Sequence, residues 1–318
     1  MSAAPSAPAP DFDPAAAYPE VKALRAALAA RNWAGVRAVC DRAQPSARTR
    51  LVQFGSDDPE VEGLLREVLA RDPDDTLAAS MLGSLVTKTG WAVRTGARAK
   101  DVTREQFRIF HQMLRQAEQI LIDAAARNPA DPSVWVNRLT TARGLQLGLS
   151  EVRRRYNRLA MYDPHHLPGQ SQLLQSLCPK WSGTWEQVHG FAQECMLSAP
   201  AGSHNAVLVV VGHLERWLEL DYGPDEQYLR SQAVRDEIYE AARRSVWHPE
   251  FRRDLGWVWV RNTFAMIFSV MGEAAAAANE FAALGNLATE DPWHYLGDNP
   301  AQEFQQAQMR ALAKGAAR

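Results

Sequence analysis

Apolar residues recur every three or four positions along most of the chain, the spacing that places them on one face of an α-helix. The longest run extends from Arg104 to Arg127 and would form a rod about 36 Å long. Thr103 and Gln106 before it, like Thr184 and Gln187 further on, have the spacing of a capping box, which marks a helix start. Clusters of β-branched residues bounded by turn formers are scarce. The pattern therefore predicts an all-α protein.

Prolines follow several of these helical stretches at nearly regular intervals. Pro73, Pro129, Pro164 and Pro200 are separated by 56, 35 and 36 residues. Stacked helical hairpins produce a period of about 35 residues. The first interval is one period plus about 22 residues, which places an insertion in one repeat, at 91–112.

The helical stretches that end at a proline carry a second pattern. A small residue is followed by a large one four positions later, a small one after three more and the proline after another five. Ala117, Leu121, Ala124 and Pro129 show it, and the Leu82-Gly83 pair and Trp135 match positions of the preceding helix. In this respect the chain resembles tetratricopeptide repeats. The resemblance implies an α-solenoid of stacked antiparallel helix pairs, a tetratricopeptide-like superhelix with one long extended helix. It also implies a role in binding proteins or peptides.

A weaker resemblance rests on the segment Lys180-Trp181-Ser182-Gly183, which runs into Phe191-Ala192. This segment is similar to bacterial repeat proteins that are grouped only as a domain of unknown function. That similarity implies no activity.

The domain organisation follows from composition and period. Residues 1–17 are rich in Ala, Pro and Ser and lack the basic start and apolar core of a signal peptide. We expect them to be a disordered tail. The remainder, 18–318, is predicted to be a single helical-repeat domain, whose period becomes less regular over 221–318.

Charge and cysteine content exclude several classes of protein. The formal net charge of −2 argues against a nucleic-acid binder. The most apolar run, 206–212, is much shorter than the roughly 20 residues of a membrane span. Three widely separated cysteines without a CxxC pair, Cys40, Cys178 and Cys195, predict reduced thiols in a cytoplasmic protein.

The insertion, 91–112, is the most specific candidate for a binding site. From Lys88 to Arg115 there are seven basic residues against two acidic ones, and a second basic block follows. Planar guanidinium groups next to aromatic rings suit carboxylates, phosphates or acidic peptides. The predicted partner-binding residues are Trp91, Arg94, Arg98, Phe107, Trp135, Arg138 and Arg143. The alternative is that these arginines are solvated or pair internally with the acidic stretch 215–240.

Histidines suggest a second candidate site, for a metal ion, but the sequence signal is less specific. Glu186 and His189 form a Glu-x-x-His half-motif, of which the chain holds no second copy. No cofactor or metal is predicted; if a metal is present, its candidate ligands are Glu186, His189 and His213. Motifs for a serine nucleophile, a phosphate loop and a dinucleotide site are missing from the sequence. Catalytic residues therefore remain unknown.

Two functions stay open on the sequence alone, and a third concerns assembly. The first is a protein- or peptide-binding helical-repeat adaptor that recognises an acidic or carboxylate-bearing partner. The alternative is an enzyme or small-molecule-binding protein, with or without a metal, whose pocket is built on the repeat scaffold. A homo-oligomeric structural subunit is the third.

Overall fold

A computed structural model describes residues 9–97, 99–220 and 224–315, and in these ranges the chain is helical without a β-strand. The all-α class predicted from the sequence is confirmed. The α-helices are α1 (Pro14–Ala17), α2 (Pro19–Ala29), α3 (Trp33–Cys40), α4 (Pro45–Gly55), α5 (Val61–Arg71), α6 (Thr76–Arg94), α7 (Arg104–Arg127), α8 (Pro132–Gly144), α9 (Leu149–Ala160), α10 (Leu167–Leu177), α11 (Trp185–Ser198), α12 (Val207–Glu219), α13 (Pro224–Arg230), α14 (Gln232–Arg244), α15 (Trp257–Met271), α16 (Ala274–Leu284), α17 (Glu290–Trp293) and α18 (Pro300–Gly315).

The helix ends follow the local sequence signals. The helices α5, α7, α9 and α11 each end shortly before one of the four regularly spaced prolines. Proline removes a backbone donor and disfavours helical geometry in the residue before it. Both capping boxes are formed: Thr103 and Gln106 bond reciprocally at the start of α7, and Thr184 and Gln187 do so at α11.

The chain divides into two compact units. The central unit is Pro19–Val188, and the terminal unit combines residues 9–18 with 189–315 as far as they are described. Each unit has its own buried apolar core.

In the central unit, the even-numbered helices α2, α4, α6, α8 and α10 contact one another in succession. The odd-numbered helices α3, α5, α7 and α9 pack beside them. Helix α4 also contacts α8 and α10. There the Thr49 hydroxyl lies 3.0 Å from Nε2 of His166 and 3.3 Å from the Ser133 hydroxyl, so three elements distant in sequence meet at one buried point.

The predicted insertion, 91–112, coincides with the end of one long helix and the start of another. The helices α6 and α7, of 19 and 24 residues, pack against each other along their length, joined by a short connection that includes Ala99–Asp101. Their close approach requires a glycine, because a Cβ at Gly83 would lie 2.6 Å from Cδ2 of Leu121. The last turn of α6 and the first turns of α7 therefore project the inserted residues as part of a helix pair.

The terminal unit is built around α15, which is buried on nearly all sides. It contacts α12, α13, α16, α17 and α18. Phe281, Trp293 and Phe304 pack at ring distances between 5.3 and 5.9 Å. The indole nitrogen of Trp293 donates to Oδ1 of Asn262 at 2.7 Å, which satisfies a polar group in the middle of this core.

The expected disordered tail does not extend over residues 9–17. The backbone of Asp11 donates to Asn286 at 2.7 Å and accepts from Ala288 at 2.8 Å. The buried Tyr18 hydroxyl accepts the N–H groups of Gly256 and Val258, both at 3.1 Å. These distant partners overcome the polar composition; residues 1–8 lie outside the described ranges.

None of the helices in the described ranges combines the length and the apolar character needed to cross a bilayer.

Candidate functional site

The structure brings four of the predicted binding residues together in the central unit. Trp91 at the end of α6 is the centre, with Arg94 from the same turn, Phe107 from α7 and Arg143 from α8 around it. Arg98 lies outside the described residues. We call this group, with Phe110 and Trp181, the Trp91 cluster.

Aromatic rings form the framework of the Trp91 cluster. The ring of Phe110 lies 4.8 Å from that of Trp91 and the ring of Trp181 lies 5.9 Å from it, both edge to face. Edge-to-face packing is a preferred arrangement of aromatic pairs. The indole also lies over Gly144 in α8, where a Cβ would come within 3.2 Å of the Trp91 ring. The cluster thus depends on the close approach of α6, α7 and α8.

Two guanidinium groups flank the Trp91 ring. The Cζ atom of Arg94 lies 5.8 Å from the centroid of Trp91 and 5.9 Å from that of Phe107. The Cζ atom of Arg143 lies 5.7 Å from the centroid of Trp91 and 5.8 Å from that of Trp181. These distances are within the range of cation–π attraction. The aromatic rings therefore hold two positive charges at one place.

Arg94 is oriented by the connection that follows its own helix. Its Nη1 donates to the carbonyl oxygens of Thr95 and Ala97, at 2.9 and 2.8 Å. The backbone at Thr95 has φ 67°, which turns the chain so that these carbonyls face the guanidinium. Within the described residues no carboxylate pairs with the half-buried Arg94. Nε and Nη2 of Arg94 take no part in these two hydrogen bonds.

Arg143 is fixed by an amide. Its Nη1 donates to Oε1 of Gln172 at 2.8 Å, and the hydroxyl of Thr140 donates to the same oxygen at 3.1 Å. Gln172 belongs to α10, so the orientation of this guanidinium depends on the packing of α8 against α10.

The indole nitrogen of Trp91 is buried and has no hydrogen-bond partner among the described residues. A buried donor without an acceptor costs free energy, about 1 to 3 kcal/mol. Such groups call for an explanation, and a binding site for an acceptor-bearing ligand is one. The Trp91 cluster therefore combines two oriented cations with an unsatisfied donor.

The other two predicted residues, Trp135 and Arg138, belong to a different neighbourhood. Trp135 is buried in the core, and its indole nitrogen donates to the carbonyl of Pro129 at 2.7 Å. The guanidinium of Arg138 stacks on it and binds Oε1 of Glu118 at 2.9 Å. Arg155 binds the other Glu118 oxygen, also at 2.9 Å. These groups are engaged inside the fold.

Glu151 extends this internal network towards the surface. Glu151 accepts from both Arg154 and Arg155 at 2.7 Å. The Arg154 guanidinium first, then Arg155, lowers the pKa of Glu151 to about 2. Glu118 and Glu151, two acids of the central unit, thus pair with three arginines of the second basic block, Arg138, Arg154 and Arg155. Arg143 is the member of that block that reaches the Trp91 cluster.

The histidine candidates lie in the terminal unit, where they join a hydrogen-bonded chain. Nε2 of His213 lies 3.0 Å from Glu237, and Nδ1 of His213 lies 2.6 Å from the hydroxyl of Tyr228. Because a carboxylate only accepts, His213 donates from Nε2 and accepts from Tyr228. The His189 ring lies 4.7 Å from that of His213, whereas the side chain of Glu186 is exposed.

Burial sets the protonation states in this hydrogen-bonded network. Burial raises the pKa of Tyr228 to about 12, and burial, with nearby His213, lowers the pKa of His189 to about 4. The tyrosine therefore keeps its proton at neutral pH. In the described residues no three His, Cys, Asp or Glu side chains are grouped to hold a metal ion.

The cysteines are buried. Burial raises the pKa of Cys40 to about 11 and that of Cys195 to about 12, so both thiols stay protonated at neutral pH.

Sequence reasoning missed the contribution of Trp181 to the Trp91 cluster. The residue stands in the segment 180–183, which resembles another family, but nothing in that segment indicates a contact with Trp91. The contact arises because the turn at Pro179–Trp181 follows α10, the helix that also anchors Arg143.

Comparison of the chain with protein-family models gives no match. Comparison with curated proteins gives no match either. The function is therefore argued from the geometry of the Trp91 cluster.

Proposed function

We propose that the chain is a helical-repeat adaptor that binds a protein or peptide through an acidic or carboxylate-bearing element at the Trp91 cluster. The observation that carries the proposal is the pair of guanidinium groups, from Arg94 and Arg143, held against one tryptophan ring. Guanidinium groups bind carboxylates through two parallel hydrogen bonds and stack on aromatic rings.

A repeat architecture for the central unit supports this role. The contacts of each even-numbered helix with the next one fit stacked helix pairs, as the resemblance to tetratricopeptide repeats implies. Helix α4 also contacts α8 and α10, so the helices pack more closely than in a stack where each one contacts only the next. Solenoids of this kind bind partners on an extended surface, and insertions in one repeat are common binding elements.

The proposed location is the cytoplasm. Three buried cysteines without a disulfide fit a reducing compartment.

The test uses an immobilised array of short acidic peptides together with matched peptides in which Asn and Gln replace Asp and Glu. The full chain is expected to retain some acidic peptides and to release their amide versions. Arg94→Ala is expected to weaken that binding about tenfold or more, because a charge-assisted hydrogen bond is lost. Raising the ionic strength is expected to weaken it as well, because exposed charges are screened.

Arg115→Ala is the matched control, since Arg115 is an exposed arginine of the same insertion-bearing helix pair. Arg94→Lys keeps the charge but not the planar fork, so we expect an intermediate affinity. Equal retention of acidic and amide peptides would refute the proposal, as would unchanged binding by Arg94→Ala. Melting temperatures of all variants should match, because Arg94 is half-exposed.

A further inference from the structure

The described part of the terminal unit forms an open cavity with a volume of about 440 Å³. It lies between the corner that joins α15 to α16 and one face of α18, with Arg230 at the end of α13 on its edge. Sites for small molecules occupy roughly 300 to 1,000 Å³. The cavity is therefore large enough for a small organic ligand.

Small side chains create the space. Ala277 of α16 and Ala307 and Ala311 of α18 face the cavity, where larger residues would fill it. Val270 and Leu296 complete an apolar wall. A short hydrocarbon chain placed here would lose its contact with water, which favours binding.

Charged side chains stand beside this apolar wall. Arg230 and Arg310 line the cavity together with one carboxylate, that of Glu303. Nη2 of Arg310 donates to Oε1 of Gln306 at 3.1 Å, one helical turn away on the same cavity-lining face of α18. This contact keeps the guanidinium on the cavity side of the helix. A ligand with a negatively charged head can pair with the guanidinium of Arg310.

We propose that the cavity binds a small carboxylic acid with a short, unbranched apolar chain. The chain packs on the alanine wall and the carboxylate binds the guanidinium of Arg310, with Arg230 adding positive potential. This site lies in a different unit from the Trp91 cluster and does not rest on the adaptor function.

Isothermal titration of the full chain with hexanoate tests the proposal, with hexanamide and hexylamine as probes of the same length. Hexanoate is expected to bind, and the neutral and cationic probes are expected to bind at least about tenfold more weakly, because they cannot pair with guanidinium. Arg310→Gln is expected to reduce hexanoate affinity by a similar factor. Ala307→Leu, which fills the cavity, is expected to abolish binding.

Ala313→Leu is the matched control, because Ala313 is an exposed alanine on the same helix. Arg94→Ala must leave hexanoate binding unchanged, which separates this cavity from the Trp91 cluster. Absence of hexanoate binding at millimolar concentration overturns the proposal, and so does equal binding of hexanamide or hexylamine. Unchanged binding in Arg310→Gln overturns it too, and this exposed substitution stays informative even where Ala307→Leu fails to fold.

Discussion

At the scale of single residues, the Trp91 cluster depends on the absence of a side chain at Gly144. A Cβ there would lie 2.3 Å from Cδ1 of Leu114 and 2.8 Å from Cζ of Phe110. We therefore expect Gly144→Ala to lower the free energy of unfolding by about 1 to 3 kcal/mol, the usual cost of overpacking. Denaturant titration followed by circular dichroism measures this change, and tryptophan emission reports displacement of Trp91.

Gly63 provides the opposite case within the same unit. It lies inside α5, and a Cβ there would meet nothing within 4 Å. Gly63→Ala should therefore raise the free energy of unfolding, by roughly 0.5 to 1 kcal/mol, because alanine loses less backbone entropy in a helix. If Gly144→Ala and Gly63→Ala change the free energy of unfolding by the same amount and in the same direction, the prediction for Gly144 is wrong.

Sequence reasoning reached part of the Trp91 cluster for a physical reason. Trp91, Arg94 and Phe107 stand within one insertion, where an unusual run of basic and aromatic residues is visible without a structure. Trp181 and Gly144 join through tertiary packing, which no local pattern encodes. Trp135 and Arg138 look similar in sequence, yet the acceptor that engages Arg138, Glu118, lies on another helix.

At the scale of helices, α7 carries a buried glutamate, Glu118, that joins it to two other helices. It also carries an exposed glutamate, Glu105, whose ion pair lies within α7. Glu118 is 8% exposed and binds both Arg138 of α8 and Arg155 of α9. Removing its charge takes the paired carboxylate away from the buried Arg138 and leaves Arg155 paired with Glu151 alone. We expect Glu118→Gln to lower the free energy of unfolding by about 3 to 5 kcal/mol.

Glu105 is the matched control on the same helix, because it pairs with Arg108 at the surface. Glu105→Gln should change stability little, since exposed ion pairs contribute little. Thermal melts of both variants at low and high salt distinguish a buried ion pair from an exposed one. The loss of stability in Glu118→Gln should persist at high salt, because buried charges are screened little. A small effect at Glu118 would mean that water reaches these arginines.

Helix starts and ends were the most predictable feature of the molecule. The two capping boxes and the prolines act within a few residues, so the sequence alone contains the whole interaction. The partners of the second basic block were not predictable in this way. Arg138, Arg154 and Arg155 bind Glu118 and Glu151, whereas the sequence leaves open two alternatives, solvation or pairing with the acidic stretch 215–240.

At the scale of the whole molecule, the convergence of α4, α8 and α10 makes the central unit sensitive to acid. His166 is fully buried and accepts the N–H of Gly169 through Nδ1 at 3.1 Å, while Nε2 faces Thr49. Burial lowers its pKa from 6.5 to about 4. The neutral ring is therefore the form that the folded chain needs.

The sign of the effect follows from this lowered pKa. Between pH 6.5 and 4 the unfolded chain binds a proton that the folded chain excludes, so acid favours unfolding. We expect this residue's contribution, roughly 3 kcal/mol, to be complete above pH 6.5 and to be lost progressively towards pH 4. His166→Asn keeps a helix-capping acceptor without a titrating group, so its unfolding free energy should depend less on pH. Identical pH slopes for both proteins would contradict this assignment.

The division into two compact units was not predicted. A repeat period shows that helices alternate, but it does not show which of them share a core. The segment 9–17 also escaped prediction, because its order comes from partners near the other end of the chain.

Those partners have a consequence for biosynthesis. The groups that bind the Tyr18 hydroxyl follow it by 238 and 240 residues. While the ribosome is still elongating the chain, every residue of Pro19–Val188 emerges before Gly256 has been translated. The central unit can therefore fold during translation, whereas the first segment has to wait and then close a long loop at an entropic cost. In the nascent chain the core of Pro19–Val188 can thus form before Tyr18 reaches its partners.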